Sequence, residues 1–222
     1  MNGIWILLLL ILAAALPAII VFFWFRARKP VVTLPWFLAS LAAGIVSVLI
    51  ATFIQNLFPL GRGGQDLLWL FFFGVFVRIA LVEEASRLAA LIPLLKAGSS
   101  RMNMDRTFGA SLGLAAGLGF AAFESAIYGM ADINITLLRA LTAAPLHGAC
   151  GIRAGAAVSV AGERPAKALS LFIFTVLIHG TYNLIIVSPP IPSVLAAPIA
   201  LIALFASLPL LKSTGSGDER IM

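Results

Sequence analysis

Charge is what this chain has least of. Only 11% of its 222 residues are Asp, Glu, Lys or Arg, about half the share of an average soluble globule, and the mean hydropathy is +1.07. That shortage excludes a water-soluble enzyme and marks a polytopic membrane protein. A spanning helix takes about 20 apolar residues, so the length leaves no room for a separate soluble domain. Cysteine is nearly absent as well. Cys150 stands alone inside an apolar segment, so it forms no intrachain disulfide and says nothing of redox compartment. No Lys or Arg precedes the first apolar run, which continues past Pro17 to Phe25 before meeting Arg26 and Arg28. A signal peptide is shorter and carries its charge on the other side, so "AAALPA" reads as part of a retained span with the N-terminus outside.

Hydropathy places seven spans at roughly 3–25, 34–58, 67–95, 107–130, 136–160, 168–187 and 192–211. The expected fold is an all-α transmembrane helical bundle, a single domain over 1–211 with its core at about 65–187. A polar tail over 212–222 is expected to be disordered. Ten Lys or Arg (Arg26, Arg28, Lys29, Lys96, Arg101, Arg106, Arg164, Lys167, Lys212 and Arg220) fall on one side, against Arg62 alone on the other. The positive-inside rule then makes the C-terminus cytoplasmic. It also accounts for the formal charge of +6 without a nucleic-acid partner; the partners expected are membrane lipid and other membrane proteins.

The remaining four basic residues, Arg78, Arg87, Arg139 and Arg153, lie within spans, with Glu83, Glu84, Glu124, His147 and His179. A charge at mid-bilayer costs ~2.5–3.5 kcal/mol even on the mildest scale, so these residues need a reason. "LVEEASRLAA" puts Glu83 and Glu84 one turn before Arg87, close enough for an ion pair along one face. Adjacent residues are about 100° apart, so one glutamate pairs with Arg87 while the other faces a cavity; the spacing leaves open which. An isolated pair of this kind would be a packing device, but one arginine does not neutralise two acids.

The fourth span, "FGASLGLAAGLGFAAFESAIYG", carries Gly109, Gly113 and Gly117 as a stripe for close helix approach. The stripe leads to Phe120 and Glu124, which has no basic residue within a turn, so that either its partner comes from elsewhere or it is protonated. His147 follows Pro145, where a kink is expected. His179 and Asn183 are four apart and share a face. Each histidine precedes a glycine. The histidines sit about eleven residues in from opposite sides, near mid-bilayer, whereas Glu83 and Glu124 fall towards opposite faces. Arg139 and Arg153 lie near span ends, where they can snorkel; Arg78 is at most at a cavity mouth.

Taken in order, "VEEASR", "FAAFE", "PLHG" and "HGTYN" resemble the PrsW family of glutamic-type intramembrane proteases, related to the CAAX prenyl endopeptidases and bacteriocin-processing membrane proteases. The resemblance covers about residues 65–187; spans one, two and seven look generic. It implies a catalytic role for Glu83, Glu84, Glu124, His147, His179 and Asn183, with Arg87 supporting. Glu124 stands where the wider superfamily has histidine, as is typical of the PrsW branch. The resemblance further implies a prokaryotic plasma-membrane location and a membrane-anchored protein or peptide substrate.

The chemistry stands on its own terms. Peptide hydrolysis needs a base for water and donors for the oxyanion. No His-Glu-x-x-His is present, so glutamate-activated water ranks above zinc and no cofactor is expected. Ser86 and Ser125 border the glutamates without a histidine on the same helix. The rival classes are a proton-coupled transporter, where buried Glu, Arg and His are equally at home, and a silent membrane scaffold. A transporter built on internal repeats would show more than the faint echo of "LHG" in "IHG".

Overall fold

The computed structural model describes residues 3–28, 32–58, 68–99, 106–130, 132–188 and 192–212, with helices and, among these residues, no strand. In chain order these are α1 (Gly3–Arg28), α2 (Leu34–Leu57), α3 (residues 68–99), α4 (Arg106–Gly129), α5 (Ile133–Val160), α6 (Pro165–Val187) and α7 (Ala196–Ser207), the last with a 3-10 turn at each end. Each occupies one of the seven expected spans. Six of them, all but α3, are long and apolar enough to cross a membrane. The chain is an all-α polytopic membrane protein.

Local sequence explains the ends. Pro35 and Pro165 open α2 and α6, where a missing N–H costs nothing. Asp132 caps α5 by accepting from the Asn134 amide at 2.9 Å. The helix α5 runs unbroken through Pro145. Arg62, the separator at 61–66 and the tail beyond Lys212 lie outside the described residues.

The bundle is organised around α4. Its membrane-crossing window is 78% buried, against 22–56% for the other five, because α1, α2 and α5 all pack on it. The glycine stripe makes this possible. Gly109, Gly113 and Gly117 lie directly against the backbone of Gly155, Gly151 and His147 on antiparallel α5, and a Cβ at any of the three would meet a carbonyl or a side-chain oxygen. On another face, Gly119 meets Leu41 and Gly44 of α2 meets Ala116. Buried hydroxyls mostly satisfy themselves within their helices: Ser40, Ser111, Thr175 and Ser207 each donate to the carbonyl four residues back. They need no functional explanation.

α3 is the irregular member. Leu68–Phe73 is α-helical, Gly74–Leu81 is π-helical, and Val82–Ser99 returns to α-helix. The wide turn ends immediately before the two glutamates; π segments inside helices frequently mark functional sites.

Candidate active site

Helices α3, α5 and α6 bring five of the expected residues into one buried knot. Glu83, Glu84, Arg87, His147 and His179 are all 7% exposed or less. Arg87 pairs with Glu84 along α3, as the three-residue spacing allows. The other end of its guanidinium reaches Nδ1 of His147 on α5 at 3.1 Å. Its plane lies over the Phe120 ring of α4, 4.6 Å from the centroid. The His147 ring lies against the same phenylalanine, centroids 4.6 Å apart. Phe120 is thus the floor on which the arginine and the first histidine rest.

From α6, His179 meets both glutamates. Its Nδ1 lies 2.7 Å from Glu84 Oε1, and its Nε2 lies 3.5 Å from Glu83 Oε2. Glu84 therefore spends one oxygen on Arg87 and the other on His179. The two imidazoles meet edge to face, centroids 5.0 Å apart. Gly180, after His179, lets the Phe76 ring of the π segment come close.

Glu124 finds its partners on α5. Its Oε2 is 2.5 Å from Arg139 Nη2 and 3.1 Å from His147 Nε2. The expected snorkelling of Arg139 gives way to an inward turn: it also donates to Ser125 Oγ at 3.2 Å and stacks on Tyr128. An acid within reach on the neighbouring helix outweighs the headgroup region as a destination. Arg153 is likewise held, donating to Ser207 Oγ at 3.0 Å. Arg78 caps α2, donating to the free carbonyls of Gln55 at 2.8 Å and Phe58 at 2.9 Å.

The charges then count unevenly. Arg87 offsets Glu84 and Arg139 offsets Glu124, which leaves Glu83 as the one glutamate of the knot without a guanidinium. Its Oε2 makes no hydrogen bond to any described residue, and its Oε1 receives only Gln55 Nε2 at 3.4 Å. Asn183 lies one turn beyond His179, half-buried, without a hydrogen bond to another described side chain. Ser86 is buried with its hydroxyl unpartnered among the described residues.

Sequence reasoning missed Gln55, because a single glutamine near the end of an apolar helix carries no pattern. It also passed over Cys150, which lies with Glu84 and His179. Those three form the one group of His, Cys, Asp or Glu among the described residues whose donor atoms lie within 4.8 Å of one another. Both Glu84 oxygens are already engaged there. A cation taking Glu84 Oε1 would have to break its hydrogen bond with His179 Nδ1, with Arg87 still on Oε2. A catalytic zinc keeps three protein ligands and an open position; this trio could supply three donors only by giving up the Glu84–His179 hydrogen bond.

A buried Glu–His–Arg knot inside a membrane bundle suits a proton carrier as well as a protease; likeness to a known family decides the class, an integral, multi-pass membrane protease. The family model described as "PrsW family intramembrane metalloprotease" matches residues 32–210, and the chain belongs to that family. The match reaches α2 and α7, which the motifs alone left out. No curated protein and no solved structure matches the chain.

Proposed function

We propose that this protein is an endopeptidase of a prokaryotic plasma membrane that cleaves membrane-anchored proteins with a water activated by Glu83. The observation that carries the assignment is the unpaired carboxylate. Glu84 and Glu124 are each held by an arginine, whereas Glu83 has an oxygen free to accept a proton. In this reading Glu83 takes a proton from water as the hydroxide oxygen adds to the scissile carbonyl carbon. His179, 3.5 Å away, shares that proton. The Asn183 amide, one turn on, donates to the tetrahedral oxyanion. Collapse breaks the C–N bond as the proton passes to the leaving nitrogen. Glu84, Arg87, Phe120 and His147 hold these groups in place, and Glu124 with Arg139 orients His147. The pattern of Glu83, Glu84, Phe120, His179 and Asn183 supports a link to the CAAX prenyl endopeptidases.

The family's description as metalloproteases makes metal dependence the rival. The engaged oxygens of Glu84 favour the metal-free reading. Two measurements test it. Membrane-protein N-termini are compared in cells expressing wild type or Glu83→Gln protein at equal levels; new termini in or beside transmembrane segments should appear with wild type alone. Purified protein should then cleave at an unchanged rate in 1,10-phenanthroline. Loss of cleavage restored by zinc would establish the metal mechanism instead.

A further inference from the structure

The end of α2 and the π segment of α3 leave a seam between them. It is a cleft of about 580 Å3 with walls of Ile54, Leu57, Phe58, Phe73 and Val77. Leu57, Phe58, Phe73 and Val77 are all exposed, so the cleft opens at the surface of the bundle. It is also lined by two half-buried residues, Val82, next to Glu83 in the chain, and Gln55. The Gln55 carboxamide donates to Glu83 Oε1 at 3.4 Å and to the Arg78 carbonyl at 3.3 Å. The cleft is therefore one side chain away from the unpaired carboxylate. The Arg78 guanidinium is occupied by the last carbonyls of α2, where it ties the two walls together.

We propose that this cleft is the substrate groove, holding an extended apolar stretch of the substrate's membrane segment with Gln55 hydrogen-bonded to its backbone. This rests on the protease reading above. A peptide bond in a helix must unwind before water reaches its carbonyl, and unwinding frees N–H and C=O groups that apolar surroundings do not satisfy. A carboxamide supplies both a donor and an acceptor. The present Gln55 bonds are longer than the usual N–H···O range, so exchanging them for a substrate backbone costs little. An acyl chain would fill the cleft but offer the carboxamide no partner beyond the two it already has. A second cavity, of about 510 Å3 and lined by residues including Pro17, Trp24, Leu141 and Leu208, has no such link to the carboxylates and serves as the control.

The probe is a synthetic peptide spanning the strongest Glu83-dependent cut, presented to purified protein in vesicles. Leu57→Trp and Val77→Trp narrow the groove from opposite walls and should lower kcat/KM by about 10- to 100-fold, moving cleavage towards bonds flanked by smaller residues. Gln55→Leu should raise KM more than it lowers kcat. Leu141→Trp, in the other cavity, should change neither. Leu57 is largely exposed, so benzoylphenylalanine there keeps the proposal testable if a tryptophan variant fails to fold. In Glu83→Gln protein it should crosslink the peptide, and the same residue at position 141 should not. Folded tryptophan variants with wild-type rates, or no crosslink from position 57, would overturn the groove and leave the protease reading intact. Loss of co-purified lipid with unchanged cleavage would make the cleft an acyl-chain site and also overturn it. Absence of Glu83-dependent termini in wild-type cells removes the protease reading and the groove with it.

Discussion

Nη2 of Arg87 lies 3.1 Å from Nδ1 of His147, and that contact decides how the ring is used. A guanidinium only donates, so Nδ1 accepts and the ring proton sits on Nε2, which donates to Glu124. His179 is arranged in the opposite sense. Its Nδ1 faces Glu84 Oε1, whose carboxylate is paired with Arg87, so Nδ1 carries the proton and Nε2 is turned to Glu83. One histidine is fixed as a donor; the other is left to exchange a proton with the unpaired carboxylate.

Imidazole 15N NMR of selectively labelled protein checks this directly. His147 should show a bare Nδ1 and a protonated Nε2. Arg87→Lys should blur that assignment, because a compact ammonium does not span Glu84 and His147 as the planar fork does. A protonated Nδ1 on wild-type His147 would refute the arrangement.

Glu83→Gln and Glu84→Gln should fail in different ways. The first removes the base and should slow cleavage by about 10²–10⁴-fold, with thermal stability kept, since no arginine loses its partner. The second leaves the fully buried Arg87 short of its counter-charge, a change that costs about 3–5 kcal/mol when a buried pair is broken. It should be read in the melting temperature before it is read in the rate. Equal stability losses in both variants would mean that Glu83 is structural too.

The glycine stripe makes a sharper contrast. A Cβ on Gly151 would run into the Gly113 carbonyl, a backbone atom that moves only if α4 and α5 part. Gly151→Ala should therefore cost about 1–3 kcal/mol and reduce cleavage by drawing Glu124 from His147. At Gly148 the nearest atom is a leucine methyl at 3.1 Å, which can swing aside, so Gly148→Ala should be mild. Gly162→Ala has nothing within 4 Å and should be silent in thermal unfolding and cleavage alike.

The same stripe explains why sequence depth placed Glu124 and His147 apart although they touch. Gly109 opposite Gly155, Gly113 opposite Gly151 and Gly117 opposite His147 fix an antiparallel register. Carried forward, that register puts residue 124 beside residue 140, two turns from the histidine. Side chains lean towards the N-terminus of their own helix, so on antiparallel neighbours these two lean towards each other and close the gap. Residue types, spans and the Glu84–Arg87 spacing were legible because they repeat along one helix. The Glu83–Gln55 bond, the inward Arg139 and the π segment were not. Each depends on which helix lies alongside, and "FFFGVFV" gives hydropathy no cue to a wider turn.

Arg139 yields the last prediction, because its place at a span end gave no hint of a part in the site. Its bond to Glu124 at 2.5 Å is mostly buried, with side chains 16% and 18% exposed. Through the same Glu124 oxygen, which also meets His147 Nε2, the pair aims the ring. Arg139→Gln should leave Glu124 free to swing from the ring and lower kcat with little change in KM. Glu124→Gln keeps a carbonyl for both partners and should be milder. The double variant restores a neutral pair that still hydrogen-bonds, so a double-mutant cycle on kcat should show coupling of about 0.5–3 kcal/mol. Strict additivity would mean that the two residues act separately and that Arg139 has no part in orienting the histidine.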